Sequence, residues 1–152
     1  MPAQSLRQFL NQAGVGYLVI QHPPAATAAE VAELTRIPGR CFAKTVVLSL
    51  DRELLLMVLP VMRQVPLEAL ASALDATPRL ATEAEFRGSF PDCDLGAMPP
   101  FGGLFGLRTL CSDELAEQER IAFNAGSATE VMVLDWDDYA RLARPELLEL
   151  GP

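Results

Sequence analysis

The sequence predicts an α+β fold built on a mixed sheet, not a doubly wound parallel one. Two observations carry this. A long hairpin of valine- and leucine-rich runs occupies the middle, and capped helices alternate irregularly with further strand-like runs. At 152 residues, 50% of them hydrophobic and 21% charged, the chain has interior enough for one domain over residues 1–152.

Leu6, Phe9 and Leu10 fall at helical spacing, so residues 5–13 read as a first helix, stopped by Gly14 and Gly16. Residues 17–20 read as a strand, broken by Pro23 and Pro24. Thr27 and Glu30 form a capping-box pattern that opens a helix through Leu34, and Pro38 with Gly39 marks a turn. The hairpin follows, from 42–50 through Asp51 and Arg52 to 53–59. Its apolar continuity suits central strands covered on both faces. Pro66 fits the first turn of a helix through Leu74, and Thr82 with Glu85 opens a short one. Glycine and proline crowd residues 95–106 too densely for regular structure, which predicts a loop on a constrained path. Strands are expected at 106–110, 121–124 and 130–134, and Asp135 can cap a last helix near 137–142.

The net charge of −8 argues against binding along a nucleic-acid duplex, where phosphates demand a basic surface. A short single-stranded end gripped by a few arginines stays open, with Arg36, Arg40, Arg63 and Arg108 as candidates. No apolar run approaches the ~20 residues that cross a bilayer, and the N-terminal residues lack a secretion signal. A cytoplasmic location without a membrane partner is therefore expected. One histidine, His22, and three cysteines at no ligand spacing give no reason to expect a metal or other cofactor. Thiol hydrolysis through Cys93 would need an activated sulfur beside a base, and spacing alone shows no such pair. Cys41 and Cys111 read as strand residues facing the core. Glu114, Glu117 and Glu119 read as a solvated acidic face.

Lys44 stands out chemically. It is the one lysine against eleven arginines, set in an otherwise apolar run. A compact, rotatable ammonium suits a site where a planar guanidinium does not. The plainer reading is a charge snorkelling from a strand end. Thr45 follows it, on the opposite face if the strand is regular. In the run from Phe90 to Gly102, glycines permit close approach of a ligand to the backbone, and prolines fix the shape beforehand. Asn124, Ala125, Gly126 and Ser127 follow a strand with small side chains that could floor a pocket, or simply make a turn.

These segments together resemble the YbaK/EbsC family, the superfamily of the editing domain inserted in bacterial prolyl-tRNA synthetases. The likeness rests on Gly39–Thr45 before the hairpin, on Phe90–Gly102, and on Phe123–Gly126 before a valine-rich strand. It implies a strongly curved, barrel-like mixed sheet flanked by helices. It also implies a metal-free aminoacyl-tRNA deacylase acting in trans on the 3′ end of a mischarged tRNA, with tRNA for proline and a prolyl-tRNA synthetase as associates. Lys44 takes the family's essential lysine. Thr45, Gly96, Ala97, Met98, Pro99, Pro100, Phe101, Gly102, Asn124, Ala125, Gly126, Ser127 and His22 are then the substrate-binding candidates. Relatives often carry a histidine shortly after the pocket glycine, where this chain has Ser127, Ala128 and Thr129. A non-catalytic module that binds tRNA or a synthetase is the alternative from a different class.

Overall fold

The computed structural model describes residues 3–151. Its centre is an eight-stranded mixed sheet in the order β1-β7-β6-β2-β3-β5-β8, with β4 pairing β2 off that path. The strands are β1 (Leu18–Gln21), β2 (Phe42–Leu50), β3 (Glu53–Pro60), β4 (Arg79–Leu80), β5 (Arg108–Ser112), β6 (Arg120–Ser127), β7 (Glu130–Asp135) and β8 (Glu146–Leu148). Helices α1 (Gln4–Ala13), α2 (Ala28–Thr35), α3 (Leu67–Leu74), α4 (Glu83–Phe86) and α5 (Trp136–Ala143) flank it.

The hairpin β2–β3 is the spine. Asp51 and Arg52 both take positive φ, 49° and 70°, as a two-residue turn matched to strand twist requires. β3 pairs β2 on one side and β5 on the other, and Leu55, Leu56, Met57, Val58 and Leu59 are all fully buried. Burying each such side chain contributes about 1.5–3 kcal/mol before entropy is counted. Alternation along β2 divides the interior. Leu48 packs with Met57, Leu59 and Leu70 of α3, and Phe42 packs with Val31 and Ala32 of α2. Ala43 faces the opposite side, with α1, α5 and the aromatic group of Phe101, Phe123 and Tyr139.

Several sequence expectations change. The short strands β4 and β8 lack apolar periodicity and were not expected. The glycine-rich stretch is not wholly irregular, since Gly102–Phe105 forms a 3₁₀ turn. Pro66 stands at the N-cap of α3 rather than inside its first turn. Asp135 precedes α5 without a side-chain capping bond, and its carboxylate lies 3.4 Å from Arg120 instead. Cys41 lies just ahead of β2, half-buried, with its thiol on Gln118. Glu114 is no free acidic surface, because Arg63 binds it at 2.7 Å. Thr82 and Glu85 do complete a reciprocal capping box.

Candidate active site at a break in the sheet

Strand β2 loses its neighbour for part of its length. It pairs in parallel with β6 only at Phe42↔Ala122 and Ala43↔Phe123, and with β4 only at Leu48 and Ser49. Between these stretches Lys44, Thr45 and Val46 are half-buried in a strand otherwise closed off from Phe42 to Leu50. The break coincides with an irregularity in β6 between Asn124 and Ser127. Gly126 adopts φ +87°, and a Cβ there would lie 2.5 Å from that of Ala3. The conformation and the close approach both call for glycine.

The loop after residue 90 is fastened to this part of β6. Asp94 N–H donates to Gly126 C=O at 2.8 Å, and Gly126 N–H donates to Ala97 C=O at 2.8 Å. The Asp94 carboxylate accepts from Ala128 N–H at 2.9 Å. Two sequence-predicted bends are thereby locked together. Beside them lies a cavity of about 100 Å³, walled by Leu95, Gly96 and Ala97 of the loop, Asn124 and Ala128 of the bend, and Ala25–Ala28 with Val31 at the start of α2.

Lys44 is not among the residues that line this cavity. It stands next to it: the Phe42↔Ala122 pair puts Lys44 and Asn124, each two residues on, on one sheet face. That face is the one α2 covers. Burial lowers the Lys44 pKa from its ordinary value, because desolvation disfavours the ammonium. Among the described residues no carboxylate lies within ion-pair distance of it. Thr45 pairs with Val58 and faces the other way.

The remaining candidates divide. Gly96 and Ala97 wall the cavity, as does Asn124. Ala125 and Gly126 are buried beneath it, with Ala125 C=O accepting from Ala3 N–H. The Ser127 hydroxyl is engaged with Thr129. Met98 packs on Val47, Leu56 and Phe90 in the core. Pro99 is buried, and Pro100 C=O accepts from Tyr139 O–H at 2.7 Å. Phe101 stacks edge-on against Phe123 and Tyr139, and Gly102 N–H donates to Thr109 Oγ1. The second half of the loop is thus foundation, because its aromatic and apolar groups gain more from burial than from lining a small opening. His22 is buried and is not among the residues that line the cavity, with Nδ1 2.7 Å from Pro23 C=O.

The start of α2 is the part of the wall that sequence reasoning missed. Its signal was present: a capping box directly after a strand and two prolines places a helix N-terminus where ligands often sit. Cys93 and Cys111 offer no nucleophile. Burial, with Asp92 beside it, pushes Cys93 up to about 12, and burial pushes Cys111 up to about 12. Among the described residues no group of three or more His, Cys, Asp or Glu side chains is placed to hold a metal ion.

The fold is that of a YbaK-like editing domain. The family model for the aminoacyl-tRNA editing domain matches residues 22–142, and the chain belongs to that family. It is 30% identical over 151 residues to the multifunctional Ser/Thr-tRNA deacylase ProXp-y of Escherichia coli K12, covering 95% of this chain and 90% of the relative. A solved structure of a protein proposed as a trans-editing enzyme for prolyl-tRNA synthetase superposes with a TM-score of 0.85 at 18% identity, covering 99% of this chain and 96% of that one. A scaffold protein from computational epitope grafting matches equally well, at TM-score 0.85 and 16% identity over 99% of this chain and 97% of its own. These two show the fold alone. The family assignment makes the chain an aminoacyl-tRNA deacylase, a hydrolase of the ester that joins an amino acid to tRNA.

Proposed function

We propose that the chain removes serine or threonine from tRNAs that should not carry them, using the break in the sheet as its active site and Lys44 as its essential residue. The observation that carries this is the lone lysine, partly buried, standing next to a small cavity framed by two interlocked bends.

Hydrolysis adds water across the ester. Water attacks the carbonyl carbon, an oxyanion forms, and the ribose oxygen leaves with a proton, giving free amino acid and free hydroxyl. No protein nucleophile is needed, which accords with the Cys93 and Cys111 thiols held protonated. The Lys44 ammonium can bind the terminal phosphate or the ester oxygens and stabilise negative charge as it develops. Partial exclusion of water strengthens that interaction. The cavity holds a small side chain, and the Asn124 amide offers hydrogen bonds to a hydroxyl. A pocket of this kind does what a synthetase cannot, since one methylene gives only about 1–3 kcal/mol of discrimination.

Arg36 and Arg40 are exposed near the start of β2, whereas Arg63 and Arg108 are engaged with Glu114 and Glu146. The first two are the candidates for tRNA phosphates. A single-stranded 3′ end needs only a few such contacts, so the acidic balance is no obstacle. Release of mischarged tRNA by a prolyl-tRNA synthetase in the cytoplasm would supply the substrate. A deacylation panel of alanyl-, cysteinyl-, seryl- and threonyl-tRNA tests the reading. Preferential loss of the seryl and threonyl esters is expected, and stability of all four would overturn it.

A further inference from the structure

The break leaves a specific pair of main-chain groups without their rung. Ala122 N–H donates to Cys41 C=O at 2.9 Å, so β6 directs its even-numbered main chain toward β2. Val47 C=O accepts from Ala81 N–H, so β2 directs its odd-numbered main chain to that same side. The other side belongs to β3, as Val61 N–H donating to Phe42 C=O confirms. The next parallel rung beyond Ala43↔Phe123 would join Thr45 N–H to Asn124 C=O. The register stops one step short, and that rung is not made. The rung after it would take Gly126 N–H to Thr45 C=O, but Gly126 N–H is spent on Ala97.

We infer that the aminoacyl group of the substrate completes the missing rung, its ester carbonyl oxygen accepting from Thr45 N–H and its α-ammonium donating to Asn124 C=O. This rests on the deacylase reading above and deepens it by naming what holds the reacting group. The chemistry fits because a broken rung exposes one donor and one acceptor, and an aminoacyl ester presents a carbonyl acceptor and an ammonium donor on adjacent carbons. Thr45 and Asn124 are half-buried, so the groups can be reached while bulk water is restricted, and Asn124 itself walls the cavity. Main-chain recognition grips any α-amino acid alike and leaves side-chain choice to the cavity. Donation from Thr45 N–H strengthens as the carbonyl oxygen takes up charge, so it assists the reaction more than binding.

The test replaces Thr45 by its α-hydroxy analogue, which substitutes a backbone ester for the amide and removes only that N–H from the side facing the break. Seryl-tRNA and N-acetyl-seryl-tRNA are offered to this chain and to the all-amide chain, with melting curves for both. The expected result is an unchanged fold, a kcat lower by about 100-fold with a smaller change in KM, and an N-acetylated substrate that the all-amide chain handles poorly. Equal kcat for the two chains would overturn the inference alone. A backbone-ester chain that fails to fold would also overturn it, by showing that the N–H belongs to the fold's own ladder. If the all-amide chain hydrolyses no aminoacyl-tRNA, the deacylase reading falls and this inference with it.

Discussion

Asp94 is tied to Gly126 by its main-chain N–H, donated to the Gly126 carbonyl at 2.8 Å, and reaches two residues further with its carboxylate on Ala128 N–H. The residue thus fastens the proline-rich loop to the bend that ends β6. Asp94→Ala removes the side-chain bond and keeps the main-chain one. The expected cost is about 0.5–1.5 kcal/mol in stability, read by thermal melting. A fall in kcat/KM of roughly tenfold is expected with it, because a loosened wall misplaces the reacting group.

Gly126→Ala is expected to do more damage. A Cβ there would lie 2.5 Å from the Ala3 Cβ at a φ of +87°. Strain of about 1–3 kcal/mol should appear in chemical denaturation. Deacylation should fall alongside, since the bend that ends β6 cannot keep its shape.

Cys93→Ser should leave turnover within about twofold of the natural chain. The thiol is pushed up to about 12, chiefly by burial, so no thiolate is present near neutral pH. The pH–rate profile of the natural chain should correspondingly show no rise that serine substitution removes.

Lys44→Met should raise stability while abolishing hydrolysis. Burial holds the lysine's folded pKa below the ordinary 10.5, so the unfolded chain binds that proton more tightly. The charge therefore opposes folding in full at neutral pH, and the penalty fades as pH rises from the folded value toward 10.5. Because the side chain is only partly buried, solvent screens the charge and the gain is small. Melting curves at neutral pH and near pH 10 measure it, and the advantage of the methionine chain should shrink at the higher pH.

The spine of the fold was legible because β2 and β3 are long, apolar and joined by a tight turn, and because capping residues announce α2 and α4. β4 and β8 were not legible, since strands of two or three residues with mostly exposed side chains carry no periodicity. Within the site, Lys44 and the two bends could be singled out from their composition. The core role of Met98 and Phe101 could not, because a loop's flexible-looking residues reveal which side they bury only once the sheet is in place. The missing rung at Thr45 was equally hidden. It depends on where β6 leaves β2, which is a property of register and not of residue type.

Hydrolysis of seryl- and threonyl-tRNA by the natural chain and by Lys44→Ala, compared at equal concentration with the fold of each verified, is the most direct measurement. Release of the amino acid by the natural chain and loss of at least about 100-fold in the variant is the predicted result. Near-equal rates for the two chains would contradict the placement of the active site at Lys44.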